Sequence, residues 1–332
     1  MTRTPVHLPP RPTVGVAPPA PRSAVRDIVT ITSQQVVSLR RQRTFSVLLG
    51  TLVAVTALAG VIGWSSQNTI ARVYDQAVLL LASTGQPAPV NPVSLKPPLA
   101  LLSNMAIYVP LIGALLAVVV GHLTLADDEA SGMGRLLFSR GVRRQHYIAG
   151  RLVGTALVLA AALAASLLVS GLALVVVHGG APSGDEVLRL LSFYLLSWCY
   201  LMVFALVGMV AVLLTRSRSL ALLSALAAWL VVTFAVPQLV SGLRPVESLN
   251  PLSAPATGTS AFFHATGLLR PLSLSEQYKG VAAHILQTTP DGAVLTPVVA
   301  GTVPVLLAVV ALAALTVVLV TRHDYSRSVS ND

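Results

Sequence analysis

An all-α, polytopic membrane fold with six transmembrane helices is what this sequence of 332 residues predicts, and three observations carry it. Hydrophobic residues make up 54% of the chain and charged residues 10%, with a mean hydropathy of +0.77. The apolar residues gather in runs near the ~20 residues that a helix needs to cross ~30 Å of hydrocarbon. The basic residues lie between those runs and differ in density from one connection to the next. A net charge of +10 could point to nucleic acid, but no single soluble face collects it. Membrane topology accounts for the charge, and no nucleic-acid partner is expected.

The elements follow in chain order. Residues 1–23 hold seven prolines, from Pro5 to Pro21, and no apolar core. They read as a disordered, Pro-rich cytosolic tail and not as a signal peptide. Over 24–43, Val25, Ile28, Val29, Thr32, Val36 and Leu39 recur at helical spacing, and Arg40, Arg41 and Arg43 follow. This pattern predicts an amphipathic interfacial helix on the inner leaflet. A transmembrane domain over 45–321 then carries spans at about 45–64, 105–125, 148–177, 190–214, 219–241 and 296–321. Residues 322–332 form a second cytosolic tail. After the first span, Ile70, Val73, Ala77 and Leu80 suggest a separate short helix, ended by Gly85-Gln86-Pro87-Ala88-Pro89. Within the long 242–295 connection, Ser273 and Glu276 make a capping-box pattern. Leu274, Tyr278, Ala282 and Ile285 form the apolar stripe of the helix that would follow. Both short helices are expected to pack on the outer ends of the spans.

Six spans place both termini on one side of the bilayer. Sixteen of the 22 lysines and arginines fall on that side, and the other side holds only Arg72, Lys96, Arg189, Arg244, Arg270 and Lys279. The positive-inside bias therefore predicts both termini cytoplasmic, and the expected location is the plasma (inner) membrane, as a multi-pass protein.

No phosphate loop of the Gly-x-x-x-x-Gly-Lys-Ser/Thr type, no Gly-x-Ser-x-Gly turn and no His-Glu-x-x-His pair occurs in the sequence. No predicted span carries an Asp or Glu near its middle, where ion-coupled carriers often place one. The chain is expected not to be an enzyme and to need no cofactor. Cys199, Met202 and Met209 are read as packing residues, since one helix supplies too few soft ligands for copper. His122 is read as an interfacial or satisfied histidine.

A polar, turn-rich block, Asp127-Asp128-Glu129-Ala130-Ser131-Gly132-Met133-Gly134-Arg135-Leu136-Leu137-Phe138-Ser139-Arg140-Gly141-Val142-Arg143-Arg144, separates the second and third spans. The carboxylates suit the start of a short cytosolic helix, where they complement its dipole. Met133, Leu136 and Leu137 would give that helix an apolar edge, and Arg135, Arg140, Arg143 and Arg144 a basic one. Gly132 and Gly134 would let another backbone approach. Such a helix suits docking of a soluble partner.

The run from Val109-Pro110-Leu111-Ile112-Gly113-Ala114-Leu115-Leu116 through Asp128-Glu129, Gly132, Arg135-Leu136-Leu137, Ser139-Arg140, Arg143-Arg144-Gln145 and Gly150-Arg151-Leu152-Val153-Gly154 resembles the ABC-2 type permease family. A narrower similarity points to the permease of the nitrous-oxide-reductase maturation transporter. Two positions depart from the family pattern: Gly141 replaces its proline, and Arg151 stands where lysine is common. The resemblance implies that 127–144 includes a cytosolic coupling helix contacting a separate ATP-binding cassette subunit, with docking residues Asp128, Glu129, Gly132, Arg135, Leu136, Leu137 and Arg140. It also implies a second permease copy, as a homodimer in the lipid bilayer, and export as the direction. The expected function is therefore a permease subunit that couples ATP hydrolysis in its partner to substrate movement. A non-transporting membrane scaffold and an ATP-independent carrier are the alternatives.

Overall fold

Helices in this chain end where the sequence gives them a reason to end. The computed structural model describes residues 23–87, 90–91, 97–139, 141–178, 180–215, 217–241, 268–288 and 298–323. Helix α1 (Ala24–Arg41) starts at Ser23, whose hydroxyl accepts from the Arg26 N–H, and stops at Gln42, which is extended. Helix α2 (Arg43–Ser83) follows at once and runs for 41 residues, about 60 Å at 1.5 Å per residue. The separate short helix expected from Ile70 is thus the outer half of α2. Ser65, Ser66, Gln67 and Asn68 are polar but do not break a helix, so the chain continues through them. Val73 and Leu80 on that outer half remain exposed and do not pack on the other spans.

Helix α3 (Met105–Ala130) carries a π turn at Val109–Gly113, where Pro110 cannot donate to the helical ladder. Two residues separate it from the short α4 (Met133–Ser139), and α5 (Arg144–His178) follows. Helix α6 (Gly184–Leu214) opens on a complete capping box. Ser183 N–H donates to the Glu186 carboxylate at 2.7 Å, and Glu186 N–H donates to the Ser183 hydroxyl at 3.3 Å. Helix α7 (Arg218–Val240) has its own π turn at Val231–Ala235. Helices α8 (Leu274–Ile285) and α9 (Val298–Arg322) complete the order. Among the described residues no strand occurs, and α2, α3, α5, α6, α7 and α9 are the six helices long and apolar enough to cross a membrane.

Helix α6 is the central post of the bundle. It packs along α3, α9, α5 and α7, and buries Phe193, Tyr200, Leu201, Phe204, Ala205 and Met209. Its closest approach to α3 depends on Gly121, where an added Cβ would collide with the Ala205 carbonyl. Met202 and Met209 fall in two different apolar clusters of this packing, consistent with a filling role. His122 is buried, and its Nδ1 has no hydrogen-bond partner among the described residues.

Helix α1 docks on α5, with Ile31, Thr32, Gln35 and Leu39 buried. Thr32 donates to the Gly150 carbonyl at 3.0 Å. The Gln35 amide enters between α3 and α5: its nitrogen donates to the Arg151 carbonyl at 3.1 Å and its oxygen accepts from the Thr155 N–H at 3.2 Å. The Thr124 and Thr155 hydroxyls lie 3.0 and 2.8 Å from it. Gly154 makes the room, since a Cβ there would overlap the amide.

At the opposite end, α8 is buried against α6 and α9. The Ser273 hydroxyl accepts from the Glu276 N–H, which is one arm of the expected capping box. The Glu276 carboxylate turns away to Lys279 at 2.8 Å and Arg270 at 3.4 Å. Tyr278 stacks on Tyr200 with ring centroids 4.5 Å apart, and its hydroxyl lies 3.0 Å from that of Ser197. Burial pushes the Lys279 ammonium below its usual value of 10.5, and the Glu276 carboxylate draws it partly back.

Candidate functional site

Three consecutive carboxylates, Asp127, Asp128 and Glu129, close the last turn of α3. The sequence suggested that they open a helix; the structure places them at the other pole, where the dipole disfavours negative charge. The helix does not stop at them because an Asp-Asp-Glu run is no breaker, whereas Gly132 is. It adopts a positive φ of 64° just past the helix, the left-handed geometry that ends helices and turns the chain into α4. An added Cβ at Gly132 would meet nothing within 4 Å, so within this chain its role is the turn.

Cations and hydrogen bonds compensate the misplaced charge. Asp128, 8% exposed, accepts from the Tyr147 hydroxyl at 2.5 Å and lies 2.5 Å from Arg151 Nη2, both on α5. Asp127 points about 100° round the helix from it, to Arg218 at 2.5 Å on the first residue of α7. It also accepts from the Gln42 side chain at the α1–α2 joint. Glu129 is half-buried, with His323, just beyond α9, 3.4 Å away. Arg144, at the start of α5, donates to the carbonyls of Thr321 at 2.6 Å and His323 at 3.0 Å. The two roots of α4 are therefore tied to each other and to the ends of α2, α7 and α9.

Phe138 and Leu137 fasten helix α4 to this cluster. The Phe138 ring meets the Tyr147 ring edge-on at 5.6 Å, and the Arg144 guanidinium lies 5.6 Å from the Phe138 centroid. The helix ends on a paired turn in which Val142 N–H donates to the Leu137 carbonyl and Gly141 N–H to the Phe138 carbonyl. Gly141 has φ 81°, a conformation closed to the proline of the family pattern, which would also lack the N–H. The glycine at this position thus goes with a different way of ending α4.

The candidate residues divide by environment. Leu136, 58% exposed, is the apolar residue that α4 presents outward, while Leu137 packs against the cluster of Ile31, Leu125, Val142, Tyr147 and Ile148. Arg135 stands on α4, and Arg140 lies outside the described residues. Asp128 faces inward and Gly132 forms the turn, so neither presents a side chain on the outward surface of α4. Sequence reasoning missed Asp127, Tyr147, Arg218, Gln42, Phe138 and His323 as members of the cluster. One signal was available: an Asp-Asp-Glu run at the end of an apolar helix needs cations, and Arg218 at the head of another span can supply one.

Compared with known protein families, residues 29–325 match the model described as ABC-2 family transporter protein. No curated protein matches the chain.

Proposed function

The chain belongs to the ABC-2 family of transporter proteins and is a multi-pass membrane permease; from that premise we propose that α4 is the coupling helix on which a separate ATP-binding cassette subunit docks. The observation that carries this reading is the placement of α4. A seven-residue helix with an exposed leucine is strapped across the end of the bundle, and both its roots are pinned to other spans. Force applied to such a strap reaches the spans directly. The α4 end is the cytoplasmic one, because most of the basic residues gather there, and both termini lie on that side of the plasma (inner) membrane. Helix α1 belongs at the inner leaflet, with Val25 and Val29 exposed beside Arg26, Arg40 and Arg41.

The permease performs no chemistry of its own. It pairs with a second copy, and closure of the ATP-binding subunits shifts the spans between two states to export a substrate. Docking rests on Leu136 and Arg135 together with Glu129 and Arg140, and Asp128, Gly132 and Leu137 hold α4 in place from behind. In this account Leu136→Glu and Arg135→Glu each cut recovery of a phosphate-loop subunit in detergent co-purification by about tenfold, the loss of a single interface anchor. Undiminished recovery with both variants contradicts the docking site, and a folded wild-type chain that brings down no such subunit favours the scaffold or carrier.

A further inference from the structure

Two polar contacts of different character join α3 and α7, and between them the helices pack through the small side chains of Ala221 and Ala225. Midway, the Trp229 indole N–H of α7 donates to the Pro110 carbonyl of α3 at 3.0 Å. Pro110 lies inside the π turn of α3, and Trp229 lies two residues before that of α7, against whose Phe234 it packs edge-on at 5.7 Å. A π turn loosens the regular helical ladder and often marks a functional bend. Here one in each helix flanks the same hydrogen bond. At the α4 end the second contact is Asp127–Arg218, with side chains 38% and 46% exposed. Between the two places the packing face of α7 is narrow: Ala221 and Ala225 are its fully buried residues over Arg218–Leu230, and Leu222 and Leu226 are partly buried against the core.

We infer that Asp127–Arg218 is a releasable latch and Trp229–Pro110 the pivot about which the near half of α7, some 16 Å long at 1.5 Å per residue, swings away from α3. The neighbouring contact shows why the latch is the joint that yields. Asp128–Arg151–Tyr147 is buried, and opening it would strand charge out of water. Opening Asp127–Arg218 only returns two half-exposed groups to solvent, a small change. Helices α3, α4 and α5 therefore move as one body and α7 moves against it. Gln42 holds Asp127 from the other side and keeps its carboxylate aimed when the latch opens. Use of this motion in transport rests on the coupling reading of α4, but the motion itself needs no partner, so the two can fail separately.

The test is a pair of spin labels at Gln145→Cys on α5 and Ser219→Cys on α7, both exposed positions, in the full chain carrying Cys199→Ala and reconstituted in lipid nanodiscs. The expected result is a second, longer distance whose population rises about threefold in Asp127→Asn and in Arg218→Gln, the scale of an exposed ion pair. The reversed pair, Asp127→Arg with Arg218→Asp, returns the distribution to that of the unmutated latch. Distance distributions unchanged in both single variants, or unrestored in the reversed pair, overturn the latch.

Discussion

Asp127 and Asp128 are sequence neighbours, yet one helical step sends the first to a half-exposed arginine and the second to a buried one. Their removal should differ accordingly. Asp128→Ala leaves Arg151 buried without its counter-charge and is expected to cost about 3–5 kcal/mol, whereas Asp127→Ala is expected to cost no more than about 1 kcal/mol. Thermal unfolding of the purified variants in one detergent measures both, and equal losses would contradict this division. At Gly141, installing the proline of the family pattern is expected to destabilise this chain by about 1–3 kcal/mol, because φ 81° and the donated N–H are both lost. A melting temperature unchanged in Gly141→Pro would show that α4 can end in another way. Lys279 makes a pH prediction. Burial lowers its folded pKa below 10.5, so between that lowered value and 10.5 the unfolded chain binds more protons and stability rises with pH. Lys279→Met should flatten that rise, and a wild-type curve that runs parallel to the variant across the alkaline range would speak against it.

Among the elements, the long apolar spans and the α8 helix with its Ser273 cap were legible in the sequence, because periodicity and capping are local properties. What could not be seen locally was misplaced. The Ile70 stripe looked like a new helix because polar residues precede it, but a helix ends only where backbone geometry changes, at Gly85 and not at Ser65. The Asp127–Glu129 run looked like a helix start because charge at an N-terminus is favourable. The α3 end holds it because Arg151 and Arg218 arrive from distant parts of the chain, a tertiary contact no local rule anticipates. The Gly150–Gly154 pair, noted only as part of the family pattern, has its physical reason in α1, which seats Thr32 and Gln35 against it. The crossing of α3 and α6 gives an element-scale test. Gly121→Ala forces a Cβ onto the Ala205 carbonyl and is expected to cost about 1–3 kcal/mol, read again as a loss of thermal stability. A neutral Gly121→Ala would mean that the two helices can separate without cost.

On the scale of the whole molecule, the six helices form a bundle around α6, with two polar ends that differ in construction. The α8 end is stitched by tyrosine and serine hydroxyls and by a buried Glu276–Lys279 pair. The α4 end is gathered by three consecutive carboxylates that reach α5, α7 and the residue after α9. With α4 as the proposed docking element, this asymmetry suits an input end that passes displacement to several helices and a far end that holds them together. The proposed docking requires the outward face of α4 to touch an ATP-binding subunit. A photo-reactive amino acid placed at Leu136, with a second chain labelled at Leu268 beside α8, tests it by cross-linking in the native membrane, both positions being exposed. The expected Leu136 adduct is a subunit containing a phosphate loop, and the expected Leu268 adduct lacks it. A folded chain whose Leu136 label captures only lipid, or whose two labels capture the same subunit, would contradict it.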